Sequence, residues 1–203
     1  MKTIMLVDDN PTLVMLYSEV LRRNGYAVRT ALSGKECLDI LRESSPDLIL
    51  LDIMMEPMDG WEVLTEIRSG NSTKTIPVMV LSAKYPQYDE ISSHSPHIDG
   101  YVMKPVTHES LIRIVGDFFR FRDYLDTLVT RAEERGADEA TIRESVALLR
   151  HWRMVEMFRS ILGPDLGREV SMDPEQMERF NVLKKILAGH GITIDEAGLR
   201  IES

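Results

Sequence analysis

The 203-residue chain has a single cysteine, Cys37. That excludes a disulfide framework and any zinc or iron–sulfur centre built from thiolates, and it suits a reducing compartment. Aromatic residues make up only 6% of the chain, and no apolar run approaches the roughly 20 residues of a membrane span. The run that follows Met1-Lys2-Thr3 is too short for a signal peptide. Basic residues are outnumbered 24 to 33, a net charge of −9, which argues against general binding to nucleic acid or anionic membrane. Glycine-rich phosphate loops and nucleophile elbows are missing. The five histidines show no metal-ligand spacing: His94 and His97 lie in a serine- and proline-rich loop, and His151 reads as a surface residue. These absences leave a soluble, cytoplasmic protein without a membrane partner as the expectation.

What is present can fold. With 43% hydrophobic and 28% charged residues, the chain buries an ordinary core. Its length fits one large domain or two small ones. Up to residue 120, short apolar runs alternate with amphipathic stretches. Ile4–Val7, Ala27–Thr30, Leu48–Leu51, Val78–Leu81 and Gly100–Met103 read as strands, and the third and fourth are nearly continuous hydrophobics, as strands covered on both faces should be. Pro11–Arg23, Gly34–Glu43 and Asp59–Arg68 read as helices, the last opened by an Asp59/Glu62 capping box. This alternation predicts an α/β fold, a doubly wound, five-stranded parallel sheet with helices on both faces. A short fourth helix is expected between residues 84 and 97.

Beyond Lys104-Pro105 the pattern becomes helical. Thr107 can cap a helix reaching Gly136, either one long rod or two pieces broken near Gly116 or Arg122. A second helix fits Asp138–Leu162. A third is signalled by Asp173 as cap, Pro174 in first position, Gln176 closing the box and Gly189 as stop. Gly191–Ser203 could add a short strand or hairpin. The expected division is therefore a first domain at 1–120 and a small, mostly α-helical module at 121–203.

In an open parallel sheet the binding crevice lies at the carboxyl ends of the strands. Here those ends carry Asp8-Asp9, Asp52, Ser82 and Lys104-Pro105. Three converging carboxylates repel one another without a cation, and oxygen-only ligands favour a hard ion such as Mg²⁺. Lys104 and Ser82 could contact the oxygens of a phosphoryl group on one carboxylate, because an aspartate can form an acyl phosphate. Singly, each residue has an ordinary explanation: Asp9 or Asn10 capping the helix at Pro11, Ser82 as a turn residue, Lys104 as a solvated charge. Asp52 resists one, since the next helix has its own cap in Asp59. Their joint placement carries the argument.

The motifs Leu6-Val7-Asp8-Asp9, Asp52-Ile53-Met54-Met55-Glu56-Pro57-Met58-Asp59-Gly60, Val80-Leu81-Ser82-Ala83-Lys84 and Tyr101-Val102-Met103-Lys104-Pro105 closely resemble the receiver domain of two-component response regulators. The resemblance covers residues 1–120. It implies a flavodoxin-like sheet of order 2-1-3-4-5. It also implies Asp52 as phosphoacceptor, Asp9 as a direct Mg²⁺ ligand, Asp8 acting mainly through water, and the main-chain carbonyl of Met54 as a further ligand. Lys104 would pair with the phosphoryl group, before a cis bond to Pro105. Ser82 would swing toward a phosphoryl oxygen, with Tyr101 following inward as the switch aromatic. A sensor histidine kinase or phosphotransfer protein would be the donor, and the protein would turn over no separate substrate. Two departures stand out. The family usually has Met-Pro after the acceptor, whereas this chain has Met55-Glu56-Pro57, which moves the proline by one and should alter the loop after Asp52 without removing a ligand. The fourth helix is also poorly specified, on the face through which such domains usually signal.

The remaining third is acidic, with 12 basic and 16 acidic residues in 121–203. Its best candidate for a basic face, Arg143, Arg150 and Arg153, is interleaved with Glu139, Glu144 and Glu156 and reads better as a solvated face. Met154, Met157, Phe158, Met172 and Met177 read first as core filling. A helical protein-interaction or homodimerisation module acting on a downstream protein target is the leading expectation. A transcription regulator with an atypical DNA-binding tail, or a phosphorelay intermediate or phosphate sink, are the alternatives.

Overall fold

The computed structural model describes residues 1–86, 94, 97–166, 171–172 and 174–189. Residues 87–93 and 95–96 of the expected fourth helix lie outside these residues, as do the Asp173 cap and anything formed by 191–203. The chain divides into two compact units, Met1–Ile114 and Val115–Ser203.

In the first unit, β1 (Thr3–Val7), β2 (Ala27–Ala31), β3 (Leu48–Asp52), β4 (Val78–Ser82) and β5 (Gly100–Met103) form one parallel sheet of order β2-β1-β3-β4-β5. β3 and β4 are buried at every position, which explains their unbroken apolar sequence. Helices α1 (Pro11–Arg23), α2 (Gly34–Leu41) and α3 (Gly60–Ser69) carry the crossovers. Asn10, not Asp9, caps α1: its side chain accepts from the Thr12 and Leu13 amides. Ser33 caps α2, and the reciprocal Asp59/Glu62 box starts α3 as the sequence predicts.

Cys37 on α2 is fully buried, and burial, with a smaller push from the Glu36 charge, raises its thiol pKa to about 12. The native thiol is therefore expected to resist a maleimide at pH 8 and to react once urea unfolds the chain, which a thiol-alkylation time course will show. An unfolded thiol ionises near pH ~8.5. Stability is thus lost through this group as pH rises from there toward about 12.

Gly60 sits where α3 closes against the end of β3. A Cβ there would lie 2.3 Å from the Asp52 carbonyl oxygen and 2.6 Å from the Ile53 Cα, both rigid backbone. Gly60→Ala is expected to lower stability by about 2 kcal/mol in urea denaturation, because the loop after Asp52 must shift to admit it.

Helix α4 (His108–Glu134) is one continuous rod despite Gly116, and Thr107 caps it through the Ser110 amide. The first turns of α4 belong to the first unit and the rest to the second. In the second unit, Asp138 caps α5 (Glu139–Leu166), whose regular part ends at Gly163, held at φ 75°. α6 spans Pro174–Gly189. Met154, Phe158, Met172 and Phe180 are buried, so methionine does fill core here, while Met177 is exposed. Trp152 stacks on Phe180, and Glu144 pairs with Arg179. Arg153 lies 4.3 Å over the Phe121 ring, so only Arg143 and Arg150 of the three arginines face outward. Among the described residues no helix is long and apolar enough to cross a membrane.

Candidate functional site

Strand register assembles the site. Val7 pairs with Leu51, Asp52 with Leu81, and Ser82 with Met103. The residues that end or follow these strands therefore meet at one edge of the sheet: Asp8 and Asp9 after β1, Asp52 closing β3, Ser82 closing β4 and Lys104 after β5. The Lys104 amide also donates to the Ser82 carbonyl at 2.7 Å, which ties the last two strand ends together.

Asp8 and Asp52 are 1% and 4% exposed, while Asp9 faces solvent. One carboxylate oxygen from each of the three lies within 4.8 Å of the others. Lys104 Nζ sits between two of them, 2.6 Å from Asp8 Oδ2 and 2.9 Å from Asp52 Oδ2. The other oxygens of this pair accept main-chain amides: Asp8 Oδ1 from Asn10 at 2.9 Å, Asp52 Oδ1 from Met54 at 3.1 Å. Burial pulls the Lys104 ammonium pKa down. Hydrogen bonds and charge from Asp52 and Asp8 outweigh that pull and leave the pKa above its ordinary value. The stabilisation this represents is in place below the ordinary lysine pKa and is lost as pH rises from there through the raised one.

Ser82 is fully buried. Its hydroxyl donates to the Lys84 carbonyl at 3.2 Å and accepts the Lys84 amide at 2.9 Å. Tyr101 is buried too, and its hydroxyl donates to the same Lys84 carbonyl at 2.9 Å. The ring therefore already lies inward, the position that the resemblance implies for the switched state. The Met54 side chain points outward, 57% exposed, on the loop after Asp52. Both Glu56-Pro57 and Lys104-Pro105 are cis; the second matches expectation, and the first goes with the displaced proline.

All seven residues singled out from the sequence thus lie at this edge or on the loops and strands that form it. The donor set is all oxygen, three carboxylates with a carbonyl-bearing loop beside them, and it fits a hard divalent cation. A buried carboxylate paired with a lysine, beside a candidate cation site at the carboxyl edge of a parallel sheet, is an arrangement suited to binding a phosphoryl group.

Comparison with known proteins extends this conclusion. The response regulator receiver domain model matches residues 4–116, and the chain belongs to that family. Phosphorylation and Mg²⁺ binding at an acidic pocket, here the Asp8, Asp9 and Asp52 cluster, are typical of it. The probable transcriptional regulatory protein TcrX of Mycobacterium tuberculosis is 36% identical over 110 residues, covering 54% of this chain and 46% of TcrX. The chain thus spans less than half the length of that relative. The N-terminal domain of a response regulator receiver protein from Methanoculleus marisnigri is 46% identical with a TM-score of 0.50, over 56% of this chain and 92% of that one. The response regulator TrrA from Thermotoga maritima, solved in complex with Mg²⁺-BeF, is 34% identical with a TM-score of 0.52, over 58% of this chain and 99% of its own. The sheet order β2-β1-β3-β4-β5 agrees with the fold expected from the sequence.

Proposed function

We propose that this response regulator accepts a phosphoryl group on Asp52 from a phosphohistidine of a sensor kinase or phosphotransfer protein and passes the change to its helical module. The observation that supports this most is the buried Asp52 carboxylate, held between Lys104 and the Asp8/Asp9 pair at the carboxyl edge of the sheet. An Asp52 oxygen attacks phosphorus. The P–N bond of the donor breaks, its electron pair stays on the histidine nitrogen, and a P–O bond forms. Asp8, Asp9, Asp52 and the Met54 carbonyl would hold Mg²⁺, which when bound offsets charge on the phosphoryl oxygens. Lys104 supplies the second positive contact; it needs only to leave Asp8 while staying beside Asp52.

Ser82 and Tyr101 read the result. Both hydroxyls donate to the Lys84 carbonyl, so a Ser82 hydroxyl that turns to a phosphoryl oxygen gives up one of its two bonds to the Lys84 peptide. Tyr101 keeps its own bond to that carbonyl. Exposed Met15 and Leu16 on α1, the helix that starts two residues after Asp9, offer an apolar patch to a donor protein. The chain turns over no separate substrate on this reading.

For output, a helical protein-interaction or homodimerisation module is favoured. The name of TcrX speaks for transcription, but the tail of this chain is acidic and turns only Arg143 and Arg150 of its candidate basic face outward. Light scattering on the full chain with Mg²⁺ and beryllofluoride separates these outputs: a mass that doubles with the mimic supports homodimerisation, and one that stays fixed points to a heterologous partner. The acceptor reading itself is tested by incubation with a small phosphodonor and Mg²⁺. One acid-stable, base-labile phosphoryl group per chain is expected by intact mass; no incorporation would sink the proposal.

A further inference from the structure

At the opposite end of the sheet, Arg68 in the last turn of α3 is only 18% exposed and binds main chain rather than solvent. Its Nη1 donates to the Lys74 and Ile76 carbonyls, at 3.2 and 2.8 Å, on the segment that leads into β4. Its Nε and Nη2 both donate to the His97 carbonyl, at 2.8 and 2.6 Å, on the segment that leads into β5. Asp99, 3.7 Å from the guanidinium, accepts the Val78 amide at 3.1 Å and returns its own amide to the Val78 carbonyl at 2.7 Å. One planar cation thus fastens the starts of β4 and β5 side by side.

These two strands matter unequally to the site. The candidate cation ligands come from β1 and β3, whereas the two groups that would touch the phosphoryl oxygens, Ser82 and Lys104, end β4 and β5. β5 is a four-residue edge strand with a ladder on one side only. Its axial position rests on that single ladder and on what grips its start, and a small slip would move Lys104 relative to Asp52. We infer that Arg68 is a positioning residue: by clamping the lead-ins of β4 and β5 it sets where Ser82 and Lys104 meet a phosphoryl group, without acting on the cation ligands. The inference rests on the acceptor role proposed above for Asp52.

The test uses the full chain at a temperature where circular dichroism shows every variant folded. Mg²⁺ is titrated alone by amide NMR, and beryllofluoride is titrated at saturating Mg²⁺ by fluorine NMR. Arg68→Ala is expected to weaken the mimic at least about tenfold while changing Mg²⁺ affinity less than about twofold. Arg68→Lys keeps the charge but not the fork that reaches both lead-ins, so it should fall between. It also stands in should Arg68→Ala fail to fold. Unchanged mimic affinity in a folded variant would overturn the inference. So would a parallel loss of Mg²⁺ and mimic binding, because that is what a general packing role produces. A wild type that binds Mg²⁺ but not the mimic would overturn the acceptor reading itself, and this inference with it.

Discussion

Asp52→Asn is expected to abolish phosphoryl incorporation, by at least about a hundredfold against the wild type in the same assay. The replacement is close to isosteric, and its amide oxygen can still accept the Met54 main-chain N–H that now bonds to Asp52 Oδ1. The loop into α3 should therefore stay in place. What disappears is the nucleophile, together with one of the two carboxylates paired with the Lys104 ammonium. An amide oxygen is a poor attacker on phosphorus and would leave no stable acyl phosphate. Quantitative intact mass after exposure to a phosphodonor reads the loss, and a circular dichroism melt confirms that the fold survives.

Lys104→Met should show the second large effect, and it separates two roles of one side chain. In metal-free buffer Lys104 is the counter-charge for two nearly buried carboxylates, at 2.6 and 2.9 Å. Its removal leaves Asp8 and Asp52 facing each other uncompensated, which costs about 3 kcal/mol in urea denaturation. Mg²⁺ should restore much of that loss, since any ion that binds only the folded site stabilises it by mass action. Restoration of stability is not restoration of function. The second positive contact to the phosphoryl oxygens is gone, and beryllofluoride affinity should fall on the order of a hundredfold even at saturating Mg²⁺. A variant that lost stability but bound the mimic as the wild type does would show that Lys104 is only a structural cation.

The site was unusually readable from sequence because each of its side chains ends or follows a strand whose apolar run is conspicuous. Once Ile4–Val7, Leu48–Leu51, Val78–Leu81 and Gly100–Met103 were strands of one parallel sheet, Asp8, Asp52, Ser82 and Lys104 had to share an edge. Local chemistry was less decisive. Asp9 and Asn10 are equally good caps, and only the Asp8 side chain folding back on the Asn10 amide, with Asn10 turned to Thr12 and Leu13, separates them. Gly116 invited a helix break, yet Val115, Phe118 and Phe119 are all buried around it. Tertiary burial of that kind outweighs the roughly 1 kcal/mol that glycine costs in a helix.

Arg68 was invisible for a physical reason: the hydrogen bonds that clamp the two lead-ins go to carbonyls of Lys74, Ile76 and His97, and a carbonyl leaves no trace in residue type. Gly60 was in plain view inside the Asp52 motif, but only the 2.3 Å that an added Cβ would leave to the Asp52 carbonyl gives it a role. Arg153 departs from the solvated face expected for it because its stacking on Phe121 spans 32 positions in sequence. The tail was legible as helices, through the Thr107 and Asp138 caps and the Gly136 stop, and not as an activity.

The most direct measurement locates the phosphoryl group. The chain is phosphorylated with a small donor and Mg²⁺, reduced with borohydride to convert a phosphorylated aspartate to homoserine, and mapped by peptide mass spectrometry. Homoserine at position 52 alone is the predicted result. Homoserine at Asp8 or Asp9, or a phosphate that resists base and maps to Ser82, would contradict the account.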